Sequence, residues 1–230
     1  MPFHRSAPSY GNRLPRVQRL AALLVALACL LAPTLAHAAD RPVKIVALGD
    51  SLTAGYGLPA DAAFPAKLAR ALQAKGIAVS IANAGVSGDT ASGGLARLDW
   101  SVPEGTEAVI VELGANDMLR GIDPAVTKTA LDQILNQLAR RHIPVLLAGM
   151  KSLSNFGPDY ARVFEAIYPT LASTHSVVFY PFFLAGVADD PKFNQGDGLH
   201  PNAAGVDVIV ARILPQVEAL IARVRAARGS

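Results

Sequence analysis

Short apolar runs alternate with segments of helical periodicity along most of the chain, and this alternation restricts the possible folds more than any other feature. The runs are nearly continuous rather than alternating, as is typical of parallel strands covered on both faces. They comprise Val43–Leu48, Ile77–Ala82, Ala108–Leu113, Val145–Met150 and Val177–Tyr180. Strands that alternate with helices favour a parallel sheet between two helical layers, with right-handed crossovers. The sequence therefore predicts a three-layer α/β/α fold.

Apolar residues that recur at three- and four-residue intervals predict the helices between these runs. Asp123-Pro124 indicates the start of one helix, with a capping carboxylate followed by proline at the first helical position. The spacing over residues 163–171 predicts one later helix, and two apolar stripes on either side of Pro215 predict a break or kink there. Because the pattern contains no internal repeat and no long linker, residues 39–230 are predicted to form a single domain.

The first 38 residues have the order of parts of a secretory signal peptide. Four arginines accompany an uncharged apolar run, Leu20–Leu31, and alanines at 36 and 38 occupy the −3 and −1 positions of a cleavage site. The run is shorter than the roughly 20 residues that a membrane span needs. Cleavage after Ala38 would leave the protein in the periplasm or outside the cell. An uncleaved anchor and a lipid on Cys29 are the two alternatives.

The basic character of the chain resides in this leader. The whole sequence has a net charge of +3, but residues 1–38 contain four arginines and no acidic residue, so residues 39–230 have a net charge of −1. Without a basic patch we expect no nucleic-acid partner, and residues 39–230 have no polybasic segment to attract a membrane surface. After cleavage we expect no stable membrane span. Cys29 is the only cysteine, which excludes a thiol nucleophile and disulfides from the processed protein.

The loops that follow the predicted strands contain the residues with catalytic potential, because ligands of open parallel sheets bind at the carboxyl ends of the strands. Ser51 comes at the end of the first strand region. A serine hydroxyl becomes a good nucleophile when a base accepts its proton, and that base is usually histidine. After the leader there are three histidines. His142 and His175 are predicted at helix ends, where a structural role suffices, whereas His200 lies in a Gly- and Asp-rich loop.

Asp197 precedes His200 by three residues, a spacing that puts both side chains on one side of a turn. The carboxylate would keep one imidazole nitrogen protonated and leave the other free to accept the proton of Ser51. Acyl transfer also needs donors for the developing oxyanion, and the candidates are the backbone N–H groups of Ser51 and Gly88 and the side-chain amide of Asn116. The alternative interpretation is that Ser51 merely caps a helix and Asp197 merely supports a turn.

Four short blocks resemble those of the GDSL or SGNH hydrolases and occur in the same order. They are Gly49–Leu52, Asn83–Thr90, Gly114–Asp117 and Asp197–Pro201. The resemblance extends over roughly residues 43–214 and is greatest to the bacterial branch of multifunctional thioesterases and lysophospholipases, with its arylesterase relatives. The G-x-S-x-G motif of the ordinary α/β-hydrolases is absent, because Thr53 stands at the second position after Ser51.

The resemblance implies a flavodoxin-like, five-stranded SGNH hydrolase fold and a serine esterase that needs no metal or other cofactor. The substrates would be small acyl esters or thioesters, such as lysophospholipids, acyl-CoA and aryl esters, and we expect the protein to be a monomer. Ser51 would be the nucleophile, His200 its base and Asp197 the orienting partner of His200. Gly88 and Asn116 would join Ser51 as oxyanion donors.

The resemblance also implies a mobile substrate-binding loop after the third strand. Its residues would be Met118, Leu119, Arg120, Gly121, Ile122 and Asp123. Just before this loop, Ala115 stands where the branch usually has a second glycine. The added methyl group bears on the shape of that turn and on the choice of substrate.

Two other functions remain open from the sequence. An envelope polysaccharide O-acetyl esterase would need aromatic residues to stack on sugars, and Trp100 with few other aromatics provides little such surface. A non-catalytic lipid-binding protein of the same fold would have lost at least one catalytic group, yet all four blocks retain theirs. A nucleotide binder is disfavoured, because residues 88–93 lack the lysine of a phosphate-binding loop.

Overall fold

Five strands form one parallel sheet in the part of the chain that the structure, a computed structural model, describes: Met1 and residues 41–229. The strands are β1 (Val43–Gly49), β2 (Val79–Gly85), β3 (Ala108–Glu112), β4 (Val145–Ala148) and β5 (Val178–Tyr180). Their order in the sheet is β2-β1-β3-β4-β5, and all four neighbouring pairs are parallel. This is the flavodoxin-like order, so the predicted fold class is confirmed.

Nine α-helices accompany the strands within the described residues. They are α1 (Ser51–Ala54), α2 (Phe64–Ala74), α3 (Ala91–Ala96), α4 (Leu98–Ser101), α5 (Ala115–Leu119), α6 (Pro124–Arg140), α7 (Gly157–Glu165), α8 (Ile167–Thr174) and α9 (Ala203–Arg228). Because β2 and β3 lie on opposite sides of β1, right-handed crossovers place α2 on one face of the sheet and α3, α6 and α8 on the other. The last helix, α9, packs against α2, which completes the three layers.

The edge strand β2 differs from its predicted bounds. The apolar run at residues 77–82 indicated the strand, but the strand begins at Val79 and continues to Gly85, with several exposed residues. Each of its seven residues pairs with one residue of β1, from Val43 with Val79 to Gly49 with Gly85. The length of β2 is therefore determined by pairing with β1, since an edge strand does not need apolar residues on both faces.

The single helix predicted over residues 163–171 is wrong, because two helices, α7 and α8, meet at Ala166. Pro169 explains the break. A proline has no N–H to donate to the carbonyl four residues earlier, and its ring would clash with that carbonyl. Here the carbonyl belongs to Glu165, the last residue of α7. In the first turn of α8 the missing N–H costs nothing, because N–H groups there have no partner within the helix.

Of the break or kink predicted at Pro215, the break is wrong, because α9 continues through the proline from Ala203 to Arg228. Ile213 and Val217, one on each side of the proline, are both buried. Their four-residue separation puts both apolar stripes on the same face of one helix. Burial of that face along the whole helix outweighs the one backbone hydrogen bond that proline removes.

The start of α6 is as predicted. Asp123 caps this helix, accepting a hydrogen bond of 2.8 Å from the Ala125 N–H.

The predicted signal peptide lies outside the described residues. Among the helices that are described, none combines the length and the apolar character needed to cross a membrane.

Candidate active site

Ser51 lies where β1 meets α1, at the carboxyl edge of the sheet. Gly49 is the last residue of β1, and a side chain would not fit there, because a Cβ would collide with the hydroxyl group of Thr53. Asp50 caps α1, and its Oδ1 accepts a hydrogen bond of 2.9 Å from the Leu52 N–H. The strand end therefore holds Ser51 in a fixed position, with only 9% of its surface exposed.

His200 connects Ser51 to Asp197. Its Nε2 is 3.0 Å from the Ser51 Oγ, and its Nδ1 is 2.6 Å from Oδ2 of Asp197. The other oxygen of Asp197 accepts hydrogen bonds from the backbone N–H groups of Leu199 (2.9 Å) and His200 (3.0 Å). The structure thus brings together the three residues that the sequence singled out, in one hydrogen-bonded series.

The charge of Asp197 determines which nitrogen of His200 carries the proton. Hydrogen bonds from the backbone N–H groups of His200 and Leu199, and then from the imidazole, lower the pKa of Asp197 from 3.8 to about 2. An ionised carboxylate only accepts hydrogen bonds, so Nδ1 of His200 is the donor. Nε2 then keeps its lone pair and can accept the hydroxyl proton of Ser51.

The two other histidines in the described part of the chain lie at helix ends, as predicted. His175 follows α8, and its Nε2 is 2.7 Å from Oδ1 of Asp132 on α6. His142 follows α6 in a left-handed conformation, with a φ of 55°. His200 is therefore the histidine that the fold places beside Ser51.

Tyr56 packs on the imidazole of His200, with the two ring centroids 4.6 Å apart. Tyr56 directly follows Gly55, the C-cap residue of α1, and its carbonyl oxygen accepts a hydrogen bond of 2.7 Å from Nε2 of Gln195. Because the backbone of Tyr56 is held by the loop that contains His200, ring and imidazole are fixed together. Sequence reasoning missed Tyr56, since no motif distinguishes it from other aromatic residues.

The two other candidate oxyanion donors lie on the loops after β2 and β3. Gly88 has a φ of 84°, a conformation that glycine adopts readily, and none of the hydrogen bonds among the described residues uses its N–H. Asn116 lies in the first turn of α5 and lines the cavity beside Ser51. Its Nδ2 donates to Oδ2 of Asp50 at 3.1 Å, which leaves the second amide hydrogen available.

The segment predicted as the substrate loop is divided between a helix end and a turn. Met118 and Leu119 are the last residues of α5 and line the cavity. Arg120 instead donates from Nη2 to the carbonyl oxygen of Gly88 at 2.5 Å. Residues 121–123 form the turn into α6 and are not among the lining residues. Only the first two of the six predicted residues therefore face the cavity.

A cavity of about 220 Å³ begins at Ser51 and His200. Its wall is mainly apolar and comes from the loops after β3, β4 and β5, with Ala115, Met118, Met150, Leu153, Phe182 and Leu184 among its residues. Pockets for drug-sized ligands measure about 300–1,000 Å³, so this cavity suits a narrow apolar chain. Sequence reasoning missed the contributions from the loops after β4 and β5, because apolar loop residues form no recognisable motif.

Two fully buried carboxyl groups, Asp50 and Glu112, lie behind Ser51. Burial raises the pKa of Asp50 from 3.8 to about 6, although the Leu52 N–H and the Asn116 amide donate to it and oppose the shift. Burial, and then the charge of Asp50, raise the pKa of Glu112 well above its ordinary value. Glu112 was missed, but a carboxylate at the end of an apolar strand was a usable signal in the sequence.

The sequence profile of the GDSL-like lipase/acylhydrolase family matches residues 47–208, a range that includes Ser51, Asp197 and His200. The chain belongs to this family. The family resemblance inferred from the four sequence blocks is therefore confirmed.

Several relatives in the GDSL family match over most of their length. The chain is 40% identical over 187 residues to thioesterase 1/protease 1/lysophospholipase L1 of Escherichia coli K12, which covers 81% of this chain and 87% of that protein. It is 38% identical over 168 residues to an arylesterase of Vibrio mimicus. The aligned part covers 73% of this chain and 84% of the arylesterase. Among solved structures it is similar to AlinE4, an SGNH-hydrolase family esterase, with 46% identity, a TM-score of 0.67 and coverage of 78% and 96%.

The raised pKa of Asp50 predicts a pH-dependent stability. The folded protein binds the Asp50 proton more tightly than the unfolded chain does, so the contribution of Asp50 to stability is fully present below about pH 4 and is lost as the pH rises through about 6. The loss amounts to about 3 kcal/mol at most. Asp50→Asn cannot ionise and lacks this loss. The free energy of unfolding in urea is measured for both proteins at pH 4 and pH 7. We expect the wild-type value minus the Asp50→Asn value to be smaller at pH 7 than at pH 4.

The matched control is Asp159→Asn, because the Asp159 side chain is 94% exposed. Its stability should follow that of the wild type at both pH values. A constant difference between wild type and Asp50→Asn would show that Asp50 ionises in the folded protein at its ordinary pKa.

Proposed function

We propose that this member of the GDSL family is a serine carboxylic ester hydrolase that works through an acyl-enzyme, with Ser51 as nucleophile, His200 as general base and Asp197 as its orienting partner. The observation that carries the proposal is the 3.0 Å contact between Nε2 of His200 and Oγ of Ser51, backed by an ionised carboxylate on Nδ1. This is the arrangement that a weakly nucleophilic hydroxyl requires.

In the first half-reaction, Oγ of Ser51 attacks the carbonyl carbon of the ester while its proton passes to Nε2 of His200. The carbonyl oxygen becomes an oxyanion, and the bond to the leaving group then breaks. The imidazolium of His200 gives its proton to the departing alcohol or thiol. Asp197 stays ionised throughout and stabilises the imidazolium through Nδ1.

In the second half-reaction, water takes the place of the alcohol. His200 accepts a proton from the water as it attacks the acyl-Ser51 carbon, and then returns that proton to Oγ when the carboxylic acid leaves. The backbone N–H groups of Ser51 and Gly88 and the amide of Asn116 donate to the oxyanion in both steps. Such donors are worth about 10²–10³ in rate each.

The cavity indicates the class of substrate. Its apolar wall suits the acyl chain of an ester or thioester, and its position beside Ser51 puts the carboxyl carbon at the nucleophile. The names of the relatives, a thioesterase and lysophospholipase and an arylesterase, belong to the same chemistry. We therefore propose small acyl esters and thioesters, with variable leaving groups, as substrates. All the groups named come from one chain, so we propose the monomer as the catalytic unit.

We also propose that residues 1–38 direct export and are removed, and that residues 39–230 act in the periplasm or outside the cell. The support is the sequence order of basic residues, apolar run and Ala36-His37-Ala38 cleavage site.

Substitution of the proposed catalytic residues tests the mechanism. Ser51→Ala and His200→Ala should lower kcat for a p-nitrophenyl ester on the order of 10³-fold or more, because each removes a group that acts in every turnover. Asp197→Asn should cause a smaller but still large loss. His175→Ala is the matched control, since His175 also pairs with an aspartate but lies outside the site, and it should retain wild-type kcat.

The same assay, run with p-nitrophenyl esters from acetate to palmitate and with lysophosphatidylcholine and an acyl-CoA, distinguishes the alternatives. A Ser51-dependent maximum at medium or long chains supports the proposal. Activity on acetate alone would favour a polysaccharide O-acetyl esterase. Near-wild-type turnover in a folded Ser51→Ala variant would contradict the mechanism, and no turnover in the wild type would favour a lipid-binding protein.

Export is tested by expression of the full chain in a Gram-negative host and N-terminal sequencing of the periplasmic protein. We expect Ala39 at the N-terminus. Ala38→Arg should block cleavage, whereas His37→Arg should not, because the cleavage site requires small residues at −3 and −1 only. An N-terminus at residue 1 or 2 in the exported protein would indicate an anchor, and a lipid on Cys29 a lipoprotein.

A further inference from the structure

Arg97, the C-cap residue of α3, lies behind the strand ends that lead to Ser51 and Gly88. Its Nη2 donates to the carbonyl oxygen of Gly49 at 2.9 Å, and its Nη1 donates to that of Ala84, also at 2.9 Å. These two carbonyls belong to the last residue of β1 and the second-last residue of β2. One guanidinium therefore joins the ends of two neighbouring strands just before their loops begin.

The third contact of this guanidinium is with the loop that contains Gly88. Nε of Arg97 is 2.6 Å from Oδ2 of Asp89, and both side chains are 14% exposed. Asp89 directly follows Gly88 and closes a turn with its N–H on the Val86 carbonyl oxygen. The Asp89 carboxylate packs directly against Gly93, where a Cβ would collide with Oδ1 of Asp89. The conformation around Gly88 thus depends on a nearly buried ion pair.

These contacts link the two backbone N–H groups that would bind one oxyanion. Gly49 is two residues before Ser51, and Asp89 is one residue after Gly88. We infer that Arg97, through its ion pair with Asp89, is a positioning residue that sets the separation between the N–H groups of Ser51 and Gly88. This inference rests on the proposed function.

The geometry requires arginine rather than a positive charge alone. A guanidinium presents donors in a rigid planar fork, and Arg97 uses three of its nitrogens on Gly49, Ala84 and Asp89, with Ser101 Oγ as a further partner of Nη1 at 2.9 Å. A lysine ammonium at the end of a flexible stem cannot hold this set of acceptors in one plane. Arg97→Lys therefore retains the charge and loses the positioning.

The chain contains a matched ion pair far from this edge of the sheet. Nη2 of Arg228 is 2.6 Å from Oε2 of Glu107, and the side chains are 14% and 17% exposed. Glu107 directly precedes β3, and Arg228 also donates to the carbonyl oxygen of Pro42, just before β1. This pair lies at the amino ends of the strands, opposite Ser51. It resembles the Arg97–Asp89 pair in burial and distance but not in location.

The experiment compares Arg97→Lys and Asp89→Asn with the controls Arg228→Lys and Glu107→Gln in the purified protein. For each variant, thermal unfolding, kcat and KM for a p-nitrophenyl ester, and the Ki of an alkyl trifluoromethyl ketone are measured. The ketone forms a hemiketal on Ser51 whose oxygen mimics the oxyanion. It therefore reports on the oxyanion donors separately from the binding of ground-state substrate.

We expect kcat of Arg97→Lys and Asp89→Asn to fall about 10- to 100-fold, because a displaced donor loses most of its contribution. KM should stay within about threefold, and Ki of the ketone should rise in proportion to the loss of kcat/KM. The control variants should unfold at lower temperature than the wild type with kcat within about twofold.

Three results would overturn the inference: kcat within about threefold of wild type in folded Arg97→Lys and Asp89→Asn, a loss that lies entirely in KM, or an equal loss of kcat in the controls. If Arg97→Lys does not fold, Asp89→Asn decides alone, since it keeps the shape of the side chain. Absence of Ser51-dependent hydrolysis in the wild type would contradict the proposed function itself, which distinguishes the two failures.

Discussion

The hydrogen bond between Ser51 Oγ and His200 Nε2 joins two points that are 149 residues apart in the chain. The sheet fixes one of them, because Ser51 follows β1, a central strand paired on both sides. The loop before α9 fixes the other. The backbone N–H of Gln195 donates to the carbonyl oxygen of His200 at 2.7 Å, and Asn202 caps α9 directly after this loop. The reacting groups therefore meet only when the whole α/β/α domain is folded.

A second constraint is the burial of three carboxyl groups behind Ser51. Asp50, Glu112 and Asp117 are all fully buried. Asp117 accepts hydrogen bonds from the Ala91 N–H at 2.8 Å and from Thr127 Oγ1 at 3.0 Å, which connects α5 to α3 and α6. Buried carboxyl groups destabilise a fold unless they are neutral or well hydrogen-bonded. Asp117 is well hydrogen-bonded, whereas Asp50 and Glu112, whose pKa values are raised by burial, destabilise the fold when they ionise.

The sequence allowed the fold and the central residues of the site to be predicted, because both leave local patterns. Continuous apolar runs predict parallel strands, and the three-residue separation of Asp197 and His200 predicts their contact. Other features depend on tertiary packing. No local pattern shows that the ring of Tyr56 packs on His200 or that Arg97 joins the ends of two strands. The four-residue separation of Ile213 and Val217 was a local signal for one helix, but whether burial outweighs the cost of Pro215 depends on the packing of α9. These required the three-dimensional arrangement.

Labelling by an alkyl fluorophosphonate tests whether His200 activates Ser51. The reagent phosphonylates an activated serine and releases fluoride, without dependence on the acyl chain or leaving group of the natural substrate. Mass spectrometry of the digested protein should show one adduct, on the peptide with Ser51, formed rapidly in the wild type and at least about 10³-fold more slowly in His200→Ala. Labelling at another residue, or an unchanged rate in His200→Ala, would contradict the account.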